Sequence, residues 1–205
     1  DLGLNDLKLR LKNIRKILID EHQSLFLDQL DDLILKVEIF GYHFATLDIR
    51  QDSRIHSYVF NKIIKKIKPN KFNNYTRSKY IEKSNFLSSI HGDFKPSFFS
   101  DELVSSTLGS IRAMQKIQKS NGESGCHRYI ISNNQTAINI LEVFTMFKIS
   151  GWKKNTFDII PLFETISDLD IAVEIMDKIY SNDAYREHLS FRNNEQTIML
   201  GFSVG

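Results

Sequence analysis

The sequence predicts a predominantly helical α/β fold, namely a partial TIM-like (β/α) barrel with about four parallel strands and long helices. Short apolar runs alternate with amphipathic helical stretches, which is typical of parallel, right-handed strand–helix–strand units. Four strands are too few to close an eight-stranded barrel, so the alternatives are part of a barrel or an open doubly wound sheet. Neither GxGxxG nor GxxxxGK[ST] occurs in the chain, and this disfavours a nucleotide-binding sheet.

The first part of the chain predicts a helical hairpin followed by one strand–helix unit. Apolar residues recur at helical spacing over 4–19 and 22–39, so residues 1–41 predict the hairpin. Residues 42–68 predict the first strand–helix unit, with a strand over 43–50 and a helix that Asp52 or Ser53 caps and Pro69 ends.

The rest of the chain predicts an insertion and then alternating strands and helices. Residues 69–127 are irregular, with short helical pieces and one amphipathic helix over 101–119. Residues 128–205 predict strands over 129–132, 157–163 and 197–202, separated by helices. Ser132 or Asn133 is the expected cap of the first of these helices, Thr165 and Asp168 have capping-box spacing, and a short helix is expected over 183–190. All 205 residues are expected to form one partial-barrel unit.

Composition limits the classes of partner. The 205 residues carry 27 basic and 25 acidic side chains, a formal net charge of +2, which does not call for a nucleic-acid or membrane partner. No run approaches the ~20 apolar residues of a membrane span. The single cysteine, Cys126, allows no intrachain disulfide, so a cytoplasmic location is expected. The chain lacks an initiator Met and stops after a strand-like run, which suggests a fragment of a longer protein.

Two apolar runs finish on a charged residue, and these residues are the first candidates for chemistry. Arg50 closes the run that begins near Phe40, and Glu164 closes the run that begins at Phe157. A charge is costly inside a core, and in barrels the carboxyl ends of strands carry the catalytic groups. The alternative for Arg50 is a local ion pair with Asp48 or Asp52. The alternative for Glu164 is a helix-start carboxylate that the helix dipole favours.

Other side chains near these positions have supporting interpretations. Asp48 alternates with Arg50 along the strand, so both can face one side, and Asp48 is a candidate partner of Arg50. Gln51 and Ser53 are expected to orient Arg50 or to cap the next helix. A lysine cluster further on is expected to be a solvated helix face, with phosphate or RNA contact as the alternative. The cluster consists of Lys62, Lys65, Lys66, Lys68 and Lys71.

Several ordered segments carry a resemblance to one family. Phe40-Gly41 followed by Leu47-Asp48-Ile49-Arg50-Gln51-Asp52-Ser53 resembles the FG…LDIRQ[DE]S segment of phosphoenolpyruvate carboxylases. Tyr129-Ile130-Ile131-Ser132 with Leu141-Glu142-Val143, and Pro161-Leu162-Phe163-Glu164-Thr165, resemble that family's YVIS…DVLEV and PLFET segments. Tyr185-Arg186 and Met199-Leu200-Gly201-Phe202-Ser203 resemble its YR and M.GYSD segments. The chain thus resembles an internal fragment of a phosphoenolpyruvate carboxylase of the bacterial type.

The resemblance implies a largely helical α/β barrel in a homotetrameric lyase. Such an enzyme joins bicarbonate to phosphoenolpyruvate with Mg²⁺ or Mn²⁺ and gives oxaloacetate and phosphate. By resemblance, Glu164 corresponds to one of two carboxylates that hold the metal ion. Arg50 corresponds to an arginine of the substrate site that faces the phosphate and the bicarbonate. These residue types suit hard cations and oxyanions, respectively.

The chain also departs from the family pattern. Val204 stands where the family has its second metal carboxylate, and Val cannot ligate a cation. The family's HPTE histidine and its glycine- and arginine-rich loop are not in this sequence. The isolated chain is therefore expected to be inactive. The alternative is a non-catalytic, barrel-derived module that serves partner binding or assembly.

Overall fold

A computed structural model describes residues 2–201 of the chain. Within these residues the structure has nine α-helices and four strands. The helices are α1 (Leu4–Glu21), α2 (Leu27–Phe40), α3 (Ser53–Ile67), α4 (Pro69–Arg77), α5 (Tyr80–Ser88), α6 (Glu102–Asn121), α7 (Ala137–Ile149), α8 (Ile166–Tyr180) and α9 (Asp183–Ser190). The strands are β1 (Ile49–Asp52), β2 (Arg128–Ser132), β3 (Asp158–Phe163) and β4 (Met199–Leu200). The prediction of a mostly helical α/β fold is confirmed.

The four strands form one parallel sheet in the order β1-β2-β3-β4. Each strand lies beside its neighbour in sequence, and helices make the connections. A doubly wound sheet would reverse its strand order at a switch point, and this sheet shows no reversal among the described strands. The arrangement is therefore that of part of a (β/α) barrel rather than an open doubly wound sheet.

The two faces of the sheet carry different side chains because parallel strands align their residues in register. Arg50, Ile130 and Ile160 share one register position and therefore one face, and Ile130 and Ile160 pack there with Leu162 and Met199. The other face carries residues such as Tyr129, which is fully buried. This second face packs against the helical layer, and it contributes much of the core.

The core between the sheet and α7 is aromatic. The ring of Phe147 stacks on Phe157 with centroids 4.0 Å apart and meets Tyr129 edge-on at 5.4 Å. Trp152 lies 5.3 Å from the same ring. Phe147 is fully buried, so its burial contributes both hydrophobic transfer energy and favourable aromatic geometry.

Replacing Phe147 with alanine should strongly destabilise the protein. A buried phenylalanine truncated to alanine loses its transfer energy and leaves a cavity, so we expect a loss of about 3–5 kcal/mol in the free energy of unfolding. Chemical denaturation followed by circular dichroism measures it. Phe191, whose side chain is 64% exposed, provides the control, because Phe191→Ala should change stability by less than about 1 kcal/mol. Equal losses in the two variants would contradict this account of the core.

The chain divides into two compact units. The smaller unit consists of residues 1–47 and 117–126, and the larger consists of residues 48–116 and 127–205. The larger unit contains the whole sheet. In the smaller unit α1 and α2 form the predicted hairpin, which Arg15 holds with two hydrogen bonds to Asp31 at 2.7 and 3.1 Å. No helix in residues 2–201 combines the length and the apolar character needed to cross a bilayer.

Two predicted boundaries in the first part of the chain were wrong. Helix α2 begins at Leu27 rather than at residue 22, because Gln23, Ser24 and Phe26 adopt left-handed φ angles of 51°, 61° and 60°. The strand predicted over 43–50 begins only at Ile49. Gly41 and Phe44 also have positive φ angles, 51° and 61°, so the apolar run up to residue 47 forms turns instead of extended backbone.

The helix caps were predicted with mixed success. Thr165 and Asp168 form the expected capping box of α8, and Asp52 caps α3 by accepting a hydrogen bond from the Arg54 amide. The predicted cap of α7 was wrong. Thr136 caps this helix, in a capping box with Asn139. Ser132 is still part of β2, and Asn133 has a left-handed φ of 53°, whereas a helix cap needs extended backbone.

Candidate active site at the carboxyl edge of the sheet

Arg50 and Glu164 meet, although 114 positions separate them in the sequence. The Arg50 Nη2 atom donates a hydrogen bond to Glu164 Oε1 at 2.6 Å. Arg50 shares a register position with Ile160, and Glu164 follows Ile160 by four residues, so both side chains project from the same face of the sheet. The predicted convergence of a guanidinium and a carboxylate is present in the structure.

The local ion pairs considered for Arg50 were wrong. Asp48 accepts a hydrogen bond from Arg128 Nε at 2.8 Å, and this pair lies toward the amino ends of β1 and β2. Asp52 instead binds Arg54, which holds the pKa of the Asp52 carboxyl at about 2. Both nearby carboxylates therefore have another arginine as their partner.

The Arg50–Glu164 pair is accessible to solvent. The Arg50 side chain is 52% exposed and that of Glu164 is 33% exposed. An ion pair in such surroundings contributes only about 0–1 kcal/mol to stability, since solvent screens the charges and ordering two long side chains costs entropy. The pair can therefore open at low cost, and either charge is available to a ligand of the opposite sign.

The turn between β3 and α8 fixes the position of Glu164. Asp168 Oδ2 accepts hydrogen bonds from the amides of Glu164 and Thr165 at 3.1 and 3.0 Å, and Thr165 Oγ1 accepts one from the Asp168 amide. Burial alone would raise the pKa of Asp168, but these hydrogen bonds outweigh it and hold the pKa below its usual value. The capping box thus starts α8 and orients the backbone of Glu164 at the same time.

Gly201 directly follows β4 and lies against Glu164, which directly follows β3. Its amide donates to the Phe163 carbonyl at 2.9 Å. A Cβ atom at this position would come within 3.1 Å of Glu164 Cγ and 3.2 Å of Glu164 Cα, closer than ordinary contact. The absence of a side chain at position 201 therefore leaves room for the Glu164 side chain.

A buried chain of hydrogen bonds lies behind Arg50. Gln51 Nε2 donates to Thr107 Oγ1 at 3.2 Å, and Gln51 Oε1 accepts from the Tyr129 hydroxyl at 3.1 Å. The Tyr129 oxygen then lies 2.9 Å from His56 Nε2. Because Gln51 follows Arg50 directly in β1, this chain anchors the strand that presents the guanidinium. Gln51 was expected to orient Arg50 or to cap the next helix. In the structure it lies beside Arg50 in β1 and contacts Thr107 and Tyr129.

The same series of hydrogen bonds determines which ring nitrogen of His56 carries the proton. The Tyr129 hydroxyl donates its hydrogen bond to Gln51 Oε1, so His56 Nε2 must donate to the Tyr129 oxygen. The unprotonated ring nitrogen of His56 is therefore Nδ1. His56 is fully buried and its Nδ1 has no hydrogen-bond partner. Burial lowers the pKa of His56 to about 4, against a weaker opposite effect of Asp52. His56 is therefore neutral at physiological pH.

The remaining supporting candidates lie at the edges of the sheet. Ser53 is the first residue of α3, and its hydroxyl donates to the Asn133 carbonyl at 2.5 Å, so it ties α3 to the loop between β2 and α7. Asp48 faces the same side as Arg50, but it contacts Arg128 rather than Arg50. Val204 lies outside the described residues.

The described residues include one candidate metal ligand. Among residues 2–201 there is no group of three or more His, Cys, Asp or Glu side chains that could hold a metal ion. Glu164 offers a partly exposed carboxylate at the correct edge of the sheet. One carboxylate fits Mg²⁺, which often uses one or two protein carboxylates together with water and substrate oxygens. Glu164 therefore fits as one ligand of such an ion.

Sequence reasoning missed the second layer of residues around the site. His56, Tyr129 and Arg128 were not assigned a role there, although they hold Gln51 and Asp48. A signal was present for His56, which lies on the same helical stripe as Val59 and Ile63 and so had to be buried. No pattern in the sequence pairs His56 with Tyr129, which is 73 positions away.

Comparison with known proteins gives one consistent family. The sequence model of that family, described as phosphoenolpyruvate carboxylase, matches residues 3–204. The protein named phosphoenolpyruvate carboxylase in Nitrosomonas europaea is 32% identical over 98% of this chain and 22% of its own length. The proteins of that name in Gloeobacter violaceus and Thermosynechococcus vestitus are 29% and 32% identical over 85% of the chain.

The match extends well beyond the short motifs around Arg50 and Glu164. It covers nearly the whole chain, including the stretch 60–127, in which no motif was recognised. The chain spans about a fifth of the length of these curated relatives. The family model and the relatives agree with the order of the motifs and with the partial parallel barrel, and the chain therefore belongs to the phosphoenolpyruvate carboxylase family.

Proposed function

We propose that the chain is part of a phosphoenolpyruvate carboxylase, which joins bicarbonate to phosphoenolpyruvate and gives oxaloacetate and phosphate. The observation that supports this most directly is the contact between Arg50 and Glu164 at the carboxyl edge of the sheet. The names of the relatives support the choice of reaction. We further propose that the 205 residues act as one partial-barrel segment of a longer cytoplasmic, homotetrameric enzyme.

Arg50 is proposed to bind the anionic substrates. A guanidinium presents a planar array of donors that matches phosphate and carboxylate oxygens, and it keeps its charge at any physiological pH. Its hydrogen bond to the Glu164 carboxylate shows that its donors reach an oxyanion at this edge. We propose that the phosphate of phosphoenolpyruvate or the bicarbonate takes that place, which holds the reacting anions together and lowers the entropic cost of their encounter.

Glu164 is proposed to be one ligand of Mg²⁺ or Mn²⁺. Such an ion would polarise the phosphate and stabilise the negative charge of the enolate. The capping box and Gly201 keep the Glu164 carboxylate at the strand end. Gln51 and Ser53 are proposed to position Arg50 indirectly, by anchoring β1 and the start of α3. Asp48 is proposed to support the amino edge of the sheet through Arg128.

The isolated chain should not make oxaloacetate from phosphoenolpyruvate and bicarbonate. It supplies one metal carboxylate, carries Val204 at the matching position of the other, and lacks the HPTE and arginine-rich segments of the family. A coupled assay that reduces oxaloacetate with malate dehydrogenase measures this directly, with the product of the complete reading frame as the positive control.

Two outcomes of this assay would change the proposal. Turnover by the isolated chain would show that these departures from the family pattern do not abolish activity. An inactive product of the complete reading frame, folded and tetrameric, would favour the non-catalytic module instead.

A further inference from the structure

The contact between Arg50 and Glu164 lies over a strand that contributes neither residue. Strand β2 runs between β1, which presents Arg50, and β3, which Glu164 directly follows. The backbones of β1 and β3 are therefore two strand spacings apart, roughly 10 Å. Because Arg50 Nη2 and Glu164 Oε1 are 2.6 Å apart, the two side chains span that distance and meet over β2, whose last residue is Ser132.

The register of the sheet places Ser132 beneath this contact. Arg50, Ile130 and Ile160 share one level and one face of the sheet. Ser132 comes two residues after Ile130, so its side chain points to that same face. Glu164 comes four residues after Ile160. The level of Ser132 is therefore midway between the levels of Arg50 and Glu164, about 6–7 Å from each along the strand direction.

The hydroxyl of Ser132 is available to a ligand. Within residues 2–201 its Oγ atom makes no hydrogen bond, and this atom is not sealed from solvent, since the residue is only half-buried. The register neighbour of Ser132 on β1 is Asp52. Both carboxyl oxygens of Asp52 accept hydrogen bonds from the Arg54 guanidinium, at 2.9 and 2.7 Å. This pairing occupies the Asp52 carboxylate and weakens its repulsion of an anion beside Ser132.

The other side chains near Ser132 on this face are apolar. Ile130, Ile160 and Leu162 are 4%, 1% and 2% exposed, and they pack together with Met199. Hydrogen bonds are stronger where apolar groups keep water away. An oxyanion bound to Arg50 at this level would therefore gain a second donor, the Ser132 hydroxyl, above a floor that excludes water.

We propose that Ser132 binds bicarbonate together with Arg50, a role that rests on the function proposed above. The place beside the guanidinium is occupied by the planar carboxylate of Glu164. When Glu164 turns to the metal ion, bicarbonate takes that place, because it has the same planar O–C–O unit and one negative charge. A serine hydroxyl both donates and accepts hydrogen bonds. This matches bicarbonate, which has acceptor oxygens and one hydroxyl group of its own.

Steady-state kinetics of the complete enzyme test this role. Ser132→Ala removes a hydrogen bond to a charged group, so it should raise the KM for bicarbonate by about tenfold or more and leave the KM for phosphoenolpyruvate within about twofold. Ser132→Thr keeps the hydroxyl and should restore most of the affinity for bicarbonate. Ser110, a half-buried serine of α6 whose hydroxyl donates to the Thr107 carbonyl at 2.8 Å, provides the control, because Ser110→Ala should change neither KM.

Thermal unfolding gives a second measurement that does not depend on turnover. A ligand that binds only the folded protein raises its Tm, and chloride at the same ionic strength corrects for the effect of salt. Bicarbonate should raise the Tm of the unmodified enzyme and of Ser110→Ala equally, and that of Ser132→Ala by less. An equal rise in Ser132→Ala would overturn the proposal, as would no rise in the unmodified enzyme.

The kinetic outcomes separate the role of Ser132 from the proposed function. An unchanged KM for bicarbonate in Ser132→Ala would overturn the role of Ser132, whereas the proposed function would stand if Arg50→Gln still impaired turnover. Normal turnover in Arg50→Gln would instead contradict the proposed function. A rise confined to the KM for phosphoenolpyruvate would place that substrate at the Ser132 hydroxyl and overturn the assignment of bicarbonate. Circular dichroism confirms that each variant is folded before the KM values are compared.

Discussion

Lowering the pH from about 6.5 to about 4 should unfold this protein cooperatively, with two buried histidines as the main cause. His56 and His188 are 0% and 2% exposed, and burial lowers the pKa of each side chain to about 4. In the unfolded chain each histidine binds a proton near pH 6.5. Between these values only the unfolded state is protonated, so stability falls as the pH falls.

The size of this effect follows from the pKa difference. Each pH unit between the two pKa values changes the free energy of unfolding by about 1.4 kcal/mol. Each histidine therefore accounts for on the order of 3 kcal/mol of stability, which is fully present above pH 6.5 and lost by pH 4. Two such losses are comparable with the whole stability of a typical domain. Nearby charges modify the effect only in part. Asp52 favours the charged form of His56, and Asp158 favours and Arg192 opposes that of His188.

Of two other perturbed carboxyl groups, Glu142 acts in the opposite direction and Asp52 acts in the same direction at lower pH. Burial raises the pKa of Glu142, so its ionised form weakens the fold at neutral pH, and its protonation on acidification offsets part of the histidine effect. Hydrogen bonds from Arg54 hold the pKa of Asp52 at about 2, so Asp52 loses its stabilising charge only below pH 4. The steep loss between pH 6.5 and 4 therefore belongs to the histidines.

Urea denaturation at a series of pH values measures the predicted loss. His56→Gln removes the titrating ring, so its stability should vary less between pH 6.5 and 4 than that of the unmodified protein, whatever its absolute value. His188→Gln should behave in the same way. His91 lies on the surface, and His91→Gln should retain the full pH dependence. An unchanged slope in both buried-site variants would show that other groups drive the acid unfolding.

The parts of the fold that local chemistry determines could be predicted from the sequence. The convergence of Arg50 and Glu164 follows from two apolar runs that each end on a charge, because the parallel strands of one sheet deliver their carboxyl ends to one edge. Here Arg50 lies in β1 and Glu164 directly follows β3, with β2 between the two strands. The start of α8 follows from the spacing of Thr165 and Asp168 alone. These features depend on residues close in sequence or on a general rule of sheet topology.

The other features of the fold and of the site depend on backbone conformations and on contacts between residues distant in sequence, and neither leaves a pattern in the sequence. The apolar residues before Ile49 have the composition of a strand, but the left-handed φ of Phe44, 61°, turns the chain, and nothing in the sequence marks that residue. Likewise, the partner of Asp48 is Arg128, 80 positions away, and only the register of β1 against β2 pairs them. The buried Glu142 carboxyl accepts a hydrogen bond from Tyr75 of α4, in a stretch whose only signal in the sequence was irregularity.

The largest effect on activity should come from removing either charge of the Arg50–Glu164 pair in the complete enzyme. Glu164→Gln keeps the size of the side chain and removes the charge of the proposed metal ligand. Arg50→Gln gives a shorter, uncharged side chain and removes the guanidinium of the proposed anion site. Each should lower kcat/KM by at least about 10²–10³-fold, the loss typical when one preorganised electrostatic group is removed from an active site. Glu164→Gln should also raise the Mn²⁺ concentration needed for half-maximal activity.

Stability separates this result from a structural effect. Because the pair is partly exposed, each variant should lose less than about 1 kcal/mol in the free energy of unfolding. Arg128→Gln breaks a comparable pair on the same face, Arg128 with Asp48, whose side chains are 39% and 32% exposed. It should match the other variants in stability and retain most of the activity. A pair that binds substrate and metal must affect turnover far more than folding. If Arg50→Gln and Glu164→Gln lose no more activity than Arg128→Gln, then Arg50 and Glu164 only hold the edge of the sheet together.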